Sequence, residues 1–168
     1  GDTSAPSAGF NMSVCIASEP QTIDPALNSA VDGAIMTQHV FEGLMKWSDS
    51  GEAVEGAQGA NLAELVPGQA ETYDKVVNDD GTVTYTFHLR DGIKWSDGQP
   101  VTAGDFVYAW QRLATPATAA DYCYMIDMVK GYDLVNTGTP TGQFETKVNA
   151  DTGEEEQVEI MDHADPTT

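Results

Sequence analysis

The chain has 168 residues and carries 27 acidic against seven basic side chains, a net charge of −20 at pH 7. This charge excludes nucleic acid as a partner and opposes adsorption to anionic lipid, because both need clustered Lys and Arg. Its main physical effect is to keep a protein dissolved and monomeric. No apolar run approaches the roughly 20 residues that a membrane-spanning helix needs.

The N-terminal segment and the two cysteines give little positive information. Residues 1–10, GDTSAPSAGF, are small and polar and predict a tether or a cloning remnant. No basic and apolar signal peptide is visible, so the protein is either cytosolic or its export signal has been removed. Cys15 and Cys123 lie far apart without a CxxC motif. Two buried free thiols are the more common arrangement, and a disulfide stays open.

A strand and then a helix are predicted in the first part of the chain. Apolar and polar residues alternate from Phe10 to Ile16, which is typical of a strand with one buried face. After a loop at 21–26, several N-cap candidates at 28–32 predict a helix that continues to about Met45 with a broad apolar face.

Extended segments follow. Residues 44–47 predict a short strand, and the Gly/Glu-rich sequence SDSGEAVEGAQG at 48–59 predicts turns. Residues 61–67 fit either a short helix or an extended segment. The segments 71–77 and 82–89 flank NDDG, and an Asp-Gly pair between two strand-like runs indicates a hairpin. One face of its second strand carries Val83, Tyr85, Phe87 and Leu89.

An amphipathic helix is predicted next. Thr102 can cap it, with Asp105 three residues later completing a capping box. Its apolar face is formed by Phe106, Ala109, Trp110 and Leu113. Trp95 and Trp110 are predicted to be core residues. The apolar stretch 119–135 has helical spacing and predicts a further helix.

The C-terminal part is acidic and predicts a second, solvated hairpin from FETKV and EQVEI. Asn149, Asp151 and Glu155 partly resemble a calcium loop, but its glycine falls one place early and the closing bidentate Glu is missing. No nucleophile motif, phosphate loop or metal-ligand spacing occurs in the chain. The residues alone therefore predict a mixed α+β domain that is not an enzyme, with no catalytic residue, cofactor or metal.

The run from Phe87 to Arg112, FHLRDGIKWSDGQPVTAGDFVYAWQR, closely resembles the signature of extracellular solute-binding protein family 5. These proteins are the receptors of oligopeptide and dipeptide ABC importers. Further stretches agree in the same order: EPQTIDP at 19–25, VFEGL at 40–44 and TPATAADY at 115–122. The resemblance covers residues 12–135.

The resemblance implies a periplasmic-binding-protein-like class II fragment, with a small antiparallel-rich sheet and flanking helices. Because family members are far longer, the chain is expected to be an N-terminal fragment. Residues 1–10 would be the tether, 11–43 the first strand and helix of the N-terminal lobe, and 44–168 a small accessory α/β subdomain with an acidic hairpin. Thr82 to Leu113 is expected to be the packing nucleus of that subdomain.

The resemblance also implies capture of a peptide between two lobes, outside the cytoplasm, for the membrane subunits of an ABC transporter. Contact with the membrane itself would come only through a lipid anchor. The first-lobe ligand contacts are expected at Ser29, Ala30, Val31 and Asp32, whose backbone could pair with an extended peptide, and at Tyr122. Some relatives carry an acidic residue where this chain has Ser29, which leaves the ligand preference open. For Tyr122, a packed ring with a hydrogen-bonded hydroxyl is an equal alternative.

Two alternatives remain at this stage. The chain could belong to a receptor of the same family for nickel, haem or an oligosaccharide. It could also be a protein-interaction module without a transport role, which the acidic segment 145–165 would suggest. Much of the ligand grip in this family comes from the second lobe, so the fragment alone is expected to bind weakly.

Overall fold

A computed structural model describes residues 13–56 and 59–167. The described chain contains three separate antiparallel hairpins, with one helix before the first and a helical segment between the second and third. The strands are β1 (Met45–Ala53), β2 (Asn61–Pro67), β3 (Ala70–Val77), β4 (Val83–Leu89), β5 (Thr139–Val148) and β6 (Glu155–Asp162). The helices are α1 (Val31–Val40), α2 (Ala103–Ala114) and α3 (Tyr132–Asn136), with 3-10 turns at Pro116–Thr118 and Cys123–Ile126. No helix of the described chain has the length and apolarity to cross a bilayer.

Both predicted hairpins are confirmed. In the β3–β4 hairpin Tyr73 pairs with Phe87, and their ring centroids lie 5.9 Å apart. Gly81 closes the turn with φ +83°, which glycine adopts without strain. The side-chain amide of Asn78 donates to the hydroxyl of Thr82 at 2.8 Å, which fixes the turn. The β5–β6 hairpin is solvated as expected, since every residue of β5 is exposed.

Helix α2 begins with the predicted capping box. The carboxylate of Asp105 accepts the backbone N–H of Thr102 at 2.7 Å and its hydroxyl at 2.9 Å. These bonds hold the pKa of Asp105 below its usual value and place negative charge at the positive end of the helix. The helix ends at Ala114, before Pro116.

Replacing Thr102 with alanine removes the hydroxyl of the capping box. We expect a loss of about 1 kcal/mol in the free energy of unfolding, which is typical for an N-cap. Urea denaturation followed by circular dichroism measures it. Thr102→Ser keeps the hydroxyl and is expected to match the original chain within a few tenths of a kcal/mol. An equal loss in both variants would contradict this role.

The N-terminal predictions need two corrections. Residues 13–16 are not in a strand, and the rest of the predicted strand from Phe10 to Ile16 lies outside the described residues. Helix α1 ends at Val40 rather than near Met45, because Phe41 turns extended with φ −113° and ψ 150°. The carbonyl of Leu44 then accepts the N–H groups of Gly68 and Ala70, both at 3.0 Å. The pairing of β1 with β2, which requires extended backbone from Met45 onward, thus overrides the helical spacing of the sequence.

The predicted turn region 48–59 is also partly wrong, because β1 continues through Ala53. The side-chain amide of Asn61 on β2 donates to the carboxylate of Asp49 at 2.9 Å, which holds the strands together across an irregular register. Residues 61–67 are extended, which decides between the two alternatives for that segment. The part of the predicted turn at 57–58 lies outside the described residues.

The helix predicted over 119–135 is absent as a continuous element. It is replaced by the 3-10 turn at Cys123–Ile126 and the short α3. Ala119 has φ +51° and Gly131 has φ +91°, and a left-handed residue at each point interrupts a right-handed helix. Helical spacing of apolar residues therefore did not predict helical backbone here.

The apolar core is small and lies beside Thr82–Leu113, not within it. The buried apolar residues of the described chain are Ala70, Ala114, Ala120 and Tyr132. Trp95 and Trp110, predicted to be core residues, are 42% and 43% exposed. The prediction of a packing nucleus is wrong because the apolar faces of β4 and α2 enclose an open groove rather than a closed core.

Both cysteines are free thiols, and only one is shielded from solvent. Cys15 is exposed, which corrects the prediction that it is buried, and Cys123 is half-buried. A hydrogen bond with Cys123, together with burial, raises the pKa of Tyr132 to about 12. This bond ties α3 to the 3-10 turn that contains Cys123.

Candidate functional site

The loop before α1 is held in place by an ion pair with α2. The two terminal guanidinium nitrogens of Arg112, Nη1 and Nη2, donate to the carboxylate of Asp24, at 2.7 and 2.6 Å. The backbone carbonyl of Asp24 accepts the N–H groups of Leu27 at 3.1 Å and Asn28 at 2.9 Å, which folds the loop into a turn. Hydrogen bonds from Arg112 hold the pKa of Asp24 below its usual value. One residue of α2 therefore fixes the path of the chain toward the predicted ligand loop.

The predicted ligand loop, Ser29 to Asp32, forms the N-terminal end of α1. Ala30 is extended, with φ −116° and ψ 152°, and the side chain of Val31 is 78% exposed. Among the described residues, no acceptor is recorded for the N–H groups of Ser29, Ala30 and Val31. Such groups at a helix start are free to donate to water or to a ligand. The geometry is compatible with pairing to an extended backbone.

The carboxylate of Asp32 is held by two hydrogen bonds from neighbouring parts of the chain. It accepts the hydroxyl of Ser18 at 2.7 Å and the N–H of Gly33 at 2.9 Å. The bond from Ser18 is the main cause that lowers the pKa of Asp32. Asp32 therefore ties the preceding segment to the start of α1, while its negative charge remains beside the loop.

Gly33 is buried at the point where α1 meets this loop. A Cβ at this position would overlap the side chain of Asn28 and would lie 2.7 Å from the carbonyl oxygen of Thr22. The amide of Asn28 in turn donates to the carbonyl of Ala30 at 3.0 Å. The absence of a side chain at Gly33 lets the loop approach the helix this closely.

Tyr122 lies in the turn after α2 and is 47% exposed. Its ring meets that of Tyr124 edge to face, with centroids 5.9 Å apart. No hydrogen bond of its hydroxyl is recorded within the described part of the chain. The packed ring with a bonded hydroxyl, the alternative expected for Tyr122, is thus not the arrangement in the described chain, and contact of Tyr122 with a ligand stays a prediction.

The two predicted contact regions are joined through Arg112. Its side chain holds the loop at Asp24, and its carbonyl accepts the hydroxyl of Thr118 at 2.7 Å, in the turn that leads to Tyr122. No hydrogen bond, ion pair or ring contact joins Tyr122 directly to Ser29–Asp32 in the residues described. The structure thus places both regions on one support without bringing them into contact.

A second cluster fixes the junction between α1 and the first two hairpins. One carboxylate oxygen of Glu42 accepts Lys46 at 2.8 Å, and the other accepts Gln69 at 2.7 Å and Arg90 at 2.8 Å. The bond from Lys46 is the first cause that lowers the pKa of Glu42. The side-chain carbonyl oxygen of Gln69 is buried and accepts no hydrogen bond. The hydrogen bond that its NH2 group donates to Glu42 is therefore the one that holds this side chain in place.

Four residues of this arrangement were not singled out in the sequence analysis: Asp24, Gly33, Glu42 and Arg112. Three of them lie inside the motifs EPQTIDP, VFEGL and the signature run, but their pairing joins positions up to 88 residues apart. A lone carboxylate in a loop and an arginine in the last turn of an amphipathic helix are weak signals for such pairs. Nothing in a single sequence indicates that Gly33 lies where a loop approaches the helix closely.

His, Cys, Asp and Glu side chains form no cluster of three that could hold a metal ion in the ranges that the structure describes. The loop and Tyr122 therefore present a surface built from backbone donors and an aromatic ring. Such groups bind and orient a ligand through hydrogen bonds and packing.

Replacing Asp24 with asparagine tests the anchor between the loop and α2. We expect a loss of about 1 kcal/mol near neutral pH, moderated by partial exposure of the pair. The pKa of Asp24 lies below 3.8 in the folded chain, so its contribution is present above pH 3.8 and is lost as the pH falls further. The difference between the two chains should therefore disappear in acid.

Urea denaturation across this pH range measures the effect. Asp91→Asn, a change at an exposed carboxylate in a turn, serves as the control and should leave the stability unchanged. A difference between Asp24→Asn and the original chain that persisted at low pH would contradict the ion-pair explanation.

The comparisons with known proteins define the class. The model of the bacterial extracellular solute-binding proteins, family 5 Middle, matches residues 64–163, more than half of the chain. The chain belongs to this family. The fold class predicted from the sequence, a periplasmic-binding-protein-like class II fragment, is confirmed by the solved structures that it resembles.

Three proteins similar to this chain illustrate the family. Oligopeptide-binding protein OppA of Bacillus subtilis strain 168 is 38% identical over 128 residues, which is 76% of this chain and 21% of that protein. The probable deoxycholate-binding periplasmic protein YgiS of Escherichia coli K12 is 41% identical over 105 residues, 62% of this chain and 17% of that protein. The crystal structure of Haemophilus influenzae OppA in complex with RPPGFSPFR matches with a TM-score of 0.55 and 39% identity, over 68% of this chain and 20% of that one. The chain thus spans about a fifth of the length of these relatives.

The division of the chain into domains is not tested by these comparisons. The domain boundaries predicted after residues 10 and 43 stay predictions.

Proposed function

We propose that this chain is part of an extracytoplasmic receptor that captures peptides for an ABC importer and that it is not an enzyme. The observation that carries the proposal is its membership of the solute-binding family together with its similarity to oligopeptide-binding proteins. The longer receptor would be a monomer, held at the membrane by a lipid anchor or free in the periplasm. Its further partners would be the membrane subunits of the transporter.

In this proposal the loop Ser29–Asp32 donates hydrogen bonds to the peptide backbone. The free N–H groups of Ser29, Ala30 and Val31 support this role, since an extended peptide offers backbone carbonyl oxygens as acceptors. The exposed ring of Tyr122 would pack against a peptide side chain. A second lobe would supply the partners of the peptide termini and close the site from the other side.

The proposal is tested by removing one backbone donor without disturbing the fold. Val31 is the first residue of α1, a position at which proline fits a helix, and Ala30 already has the extended geometry that a residue before proline adopts. Val31→Pro is therefore expected to keep the stability of the receptor and to weaken peptide binding about five- to tenfold. Val31→Ala keeps the N–H group and is the matched control.

Calorimetry on the longer polypeptide that contains this chain, with RPPGFSPFR and a random short-peptide mixture as probes, measures the affinities. Saturable binding that weakens in Val31→Pro and not in Val31→Ala supports the proposal. Equal affinities in both variants would remove the loop from the site, and no peptide binding at all would remove the function. The isolated 168 residues are expected to bind peptides only weakly, because one side of the site is missing.

A receptor for a ligand other than a peptide is the second candidate. The similarity to the probable deoxycholate-binding protein favours it, since that relative shares 41% identity with this chain over 105 residues. Nickel, haem and oligosaccharides are further ligand classes for this candidate. Binding of deoxycholate or one of these by the longer polypeptide, without peptide binding, would select it.

A further inference from the structure

An open groove lies between the hairpin β3–β4 and helix α2, away from the predicted ligand loop. Its volume is about 890 Å³, within the range of small-molecule sites. The floor is apolar and comes from the alternating face of β4 and from the facing side of α2, chiefly Tyr85, Phe87, Phe106 and Trp110. Neither Ser29–Asp32 nor Tyr122 lines it. The groove is thus a separate feature from the proposed peptide site.

The charge of the groove differs from that of the chain as a whole. The protein has 27 acidic residues, yet none of the groove's lining residues is acidic and one, Lys130, is basic. Asp165 lies on the wall of a neighbouring cavity that shares Lys130, and not on the wall of the groove. The Nζ atom of Lys75 stands 5.6 Å from the ring centroid of Tyr85 and adds a second positive charge beside the groove. The wall of the groove thus contains a basic side chain and no carboxylate, in contrast to the acidic remainder of the chain.

Lys130 is one of three basic residues whose side chains have no carboxylate partner in the described chain. Lys46, Arg90, Arg112 and Lys147 each form an ion pair with a carboxylate. Among the described residues, Lys75, Lys94 and Lys130 have neither an ion pair nor a hydrogen bond of the side chain, and two of the three, Lys75 and Lys130, lie beside or on the wall of the groove. In a chain of net charge −20, a cation without a partner at the end of an apolar groove is a suitable counter-charge for a bound anion.

We propose that this groove binds an amphiphilic monoanion, such as a long-chain carboxylate. Its apolar body would lie between β4 and α2, over Phe87 and Trp110, and its charged end would meet Lys130. The apolar lining supplies the affinity, and the absence of carboxylates selects against cations. The proposal goes beyond peptide capture, because it assigns a second ligand class to a different surface.

The test uses the full chain, titrated with dodecanoate and with dodecyltrimethylammonium below their micelle-forming concentrations. Trp47→Phe and Trp95→Phe leave Trp110 as the one tryptophan, so its fluorescence reports the groove. We expect saturable binding of dodecanoate about tenfold tighter than that of the cation. Decanoate should bind more weakly than dodecanoate, by about fourfold for each methylene group that is no longer buried.

Variants separate the charge from the apolar surface. Lys130→Ala should weaken dodecanoate binding about threefold to fivefold, and Lys130→Arg should restore it. Lys94→Ala, at an unpaired lysine outside the groove, should leave binding unchanged. Val107→Trp places a large ring in the groove and should abolish binding while the far-ultraviolet circular dichroism is kept.

Several results would overturn the proposal. These are equal affinities for the anion and the cation, equal losses in Lys94→Ala and Lys130→Ala, or binding that survives Val107→Trp. Sedimentation that shows a dimer dispersed by Val107→Trp would assign the groove to a second copy of the chain instead. Failure of a longer polypeptide containing this chain to bind dodecanoate would assign the groove to packing within that polypeptide.

Discussion

Gly33→Ala is expected to destabilise the protein by about 2 kcal/mol, although glycine to alanine inside a helix ordinarily stabilises by up to about 1 kcal/mol. The sign is reversed because the new Cβ would overlap the Asn28 side chain and press on the carbonyl oxygen of Thr22. The Asn28 side chain can move, but a backbone carbonyl in a hydrogen-bonded turn yields only if the loop shifts. The loop that carries the proposed ligand contacts would therefore be displaced.

Gly104→Ala is the matched control, because it lies in the first turn of α2. A Cβ there would meet the hydroxyl oxygen of Thr102 at 3.4 Å, an ordinary contact. This variant should be as stable as the original chain or more stable. Thermal and urea unfolding of both variants decide the matter. Destabilisation of equal size in the two would show that helix position, and not close approach of the loop, explains the effect.

Glu42→Ala is expected to cost about 2 kcal/mol. The change leaves Arg90 without its carboxylate, and it leaves the side chain of Gln69 without the single hydrogen bond recorded for it. The exposed Glu64→Ala on β2 is the control and should have little effect. A cost below about 0.5 kcal/mol would place the cluster among ordinary surface ion pairs.

The same cluster gives the stability a defined pH dependence. The pKa of Glu42 is lower in the folded chain than its ordinary value of 4.5, so the carboxylate stabilises the fold above pH 4.5. This contribution is lost as the pH falls through the folded pKa. The difference between Glu42→Ala and the original chain should therefore shrink in acid, which urea denaturation at several pH values measures. A constant difference would indicate a packing effect instead.

The features that the sequence predicted correctly are those set by neighbouring residues. The NDDG turn and the capping box at Thr102 each close within a few positions, and each is present in the structure. The end of α1 was missed because β1 begins at Met45 and pairs there with Pro67 of β2, and nothing near residue 45 indicates that pairing. Short-range sequence patterns therefore predict which helices and strands form better than they predict the residues at which these elements end.

In the candidate site, too, some residues were predicted from the sequence and others were found only in the structure. The family resemblance predicted ligand contacts at Ser29–Asp32 and at Tyr122, and these roles remain predictions. The structure added the residue that holds both regions, Arg112, whose partner Asp24 is 88 positions away. Trp95 and Trp110 were assigned to the core because large aromatic side chains usually bury most of their surface. Trp110 is 43% exposed because no other described segment covers the groove between β4 and α2, whereas Trp95, 42% exposed, lies in the turn before α2 and outside that groove.

The long reach of the Asp24–Arg112 pair has a consequence for the order of folding. Each hairpin and each helix closes over a short span and can form early, whereas this pair must first bring together the ends of a long segment. The pair is therefore expected to form late and to contribute little to the transition state. Variants at Asp24 should then accelerate unfolding while leaving the refolding rate nearly unchanged. The predicted ligand loop is therefore expected to be the last region to order and the first to be released.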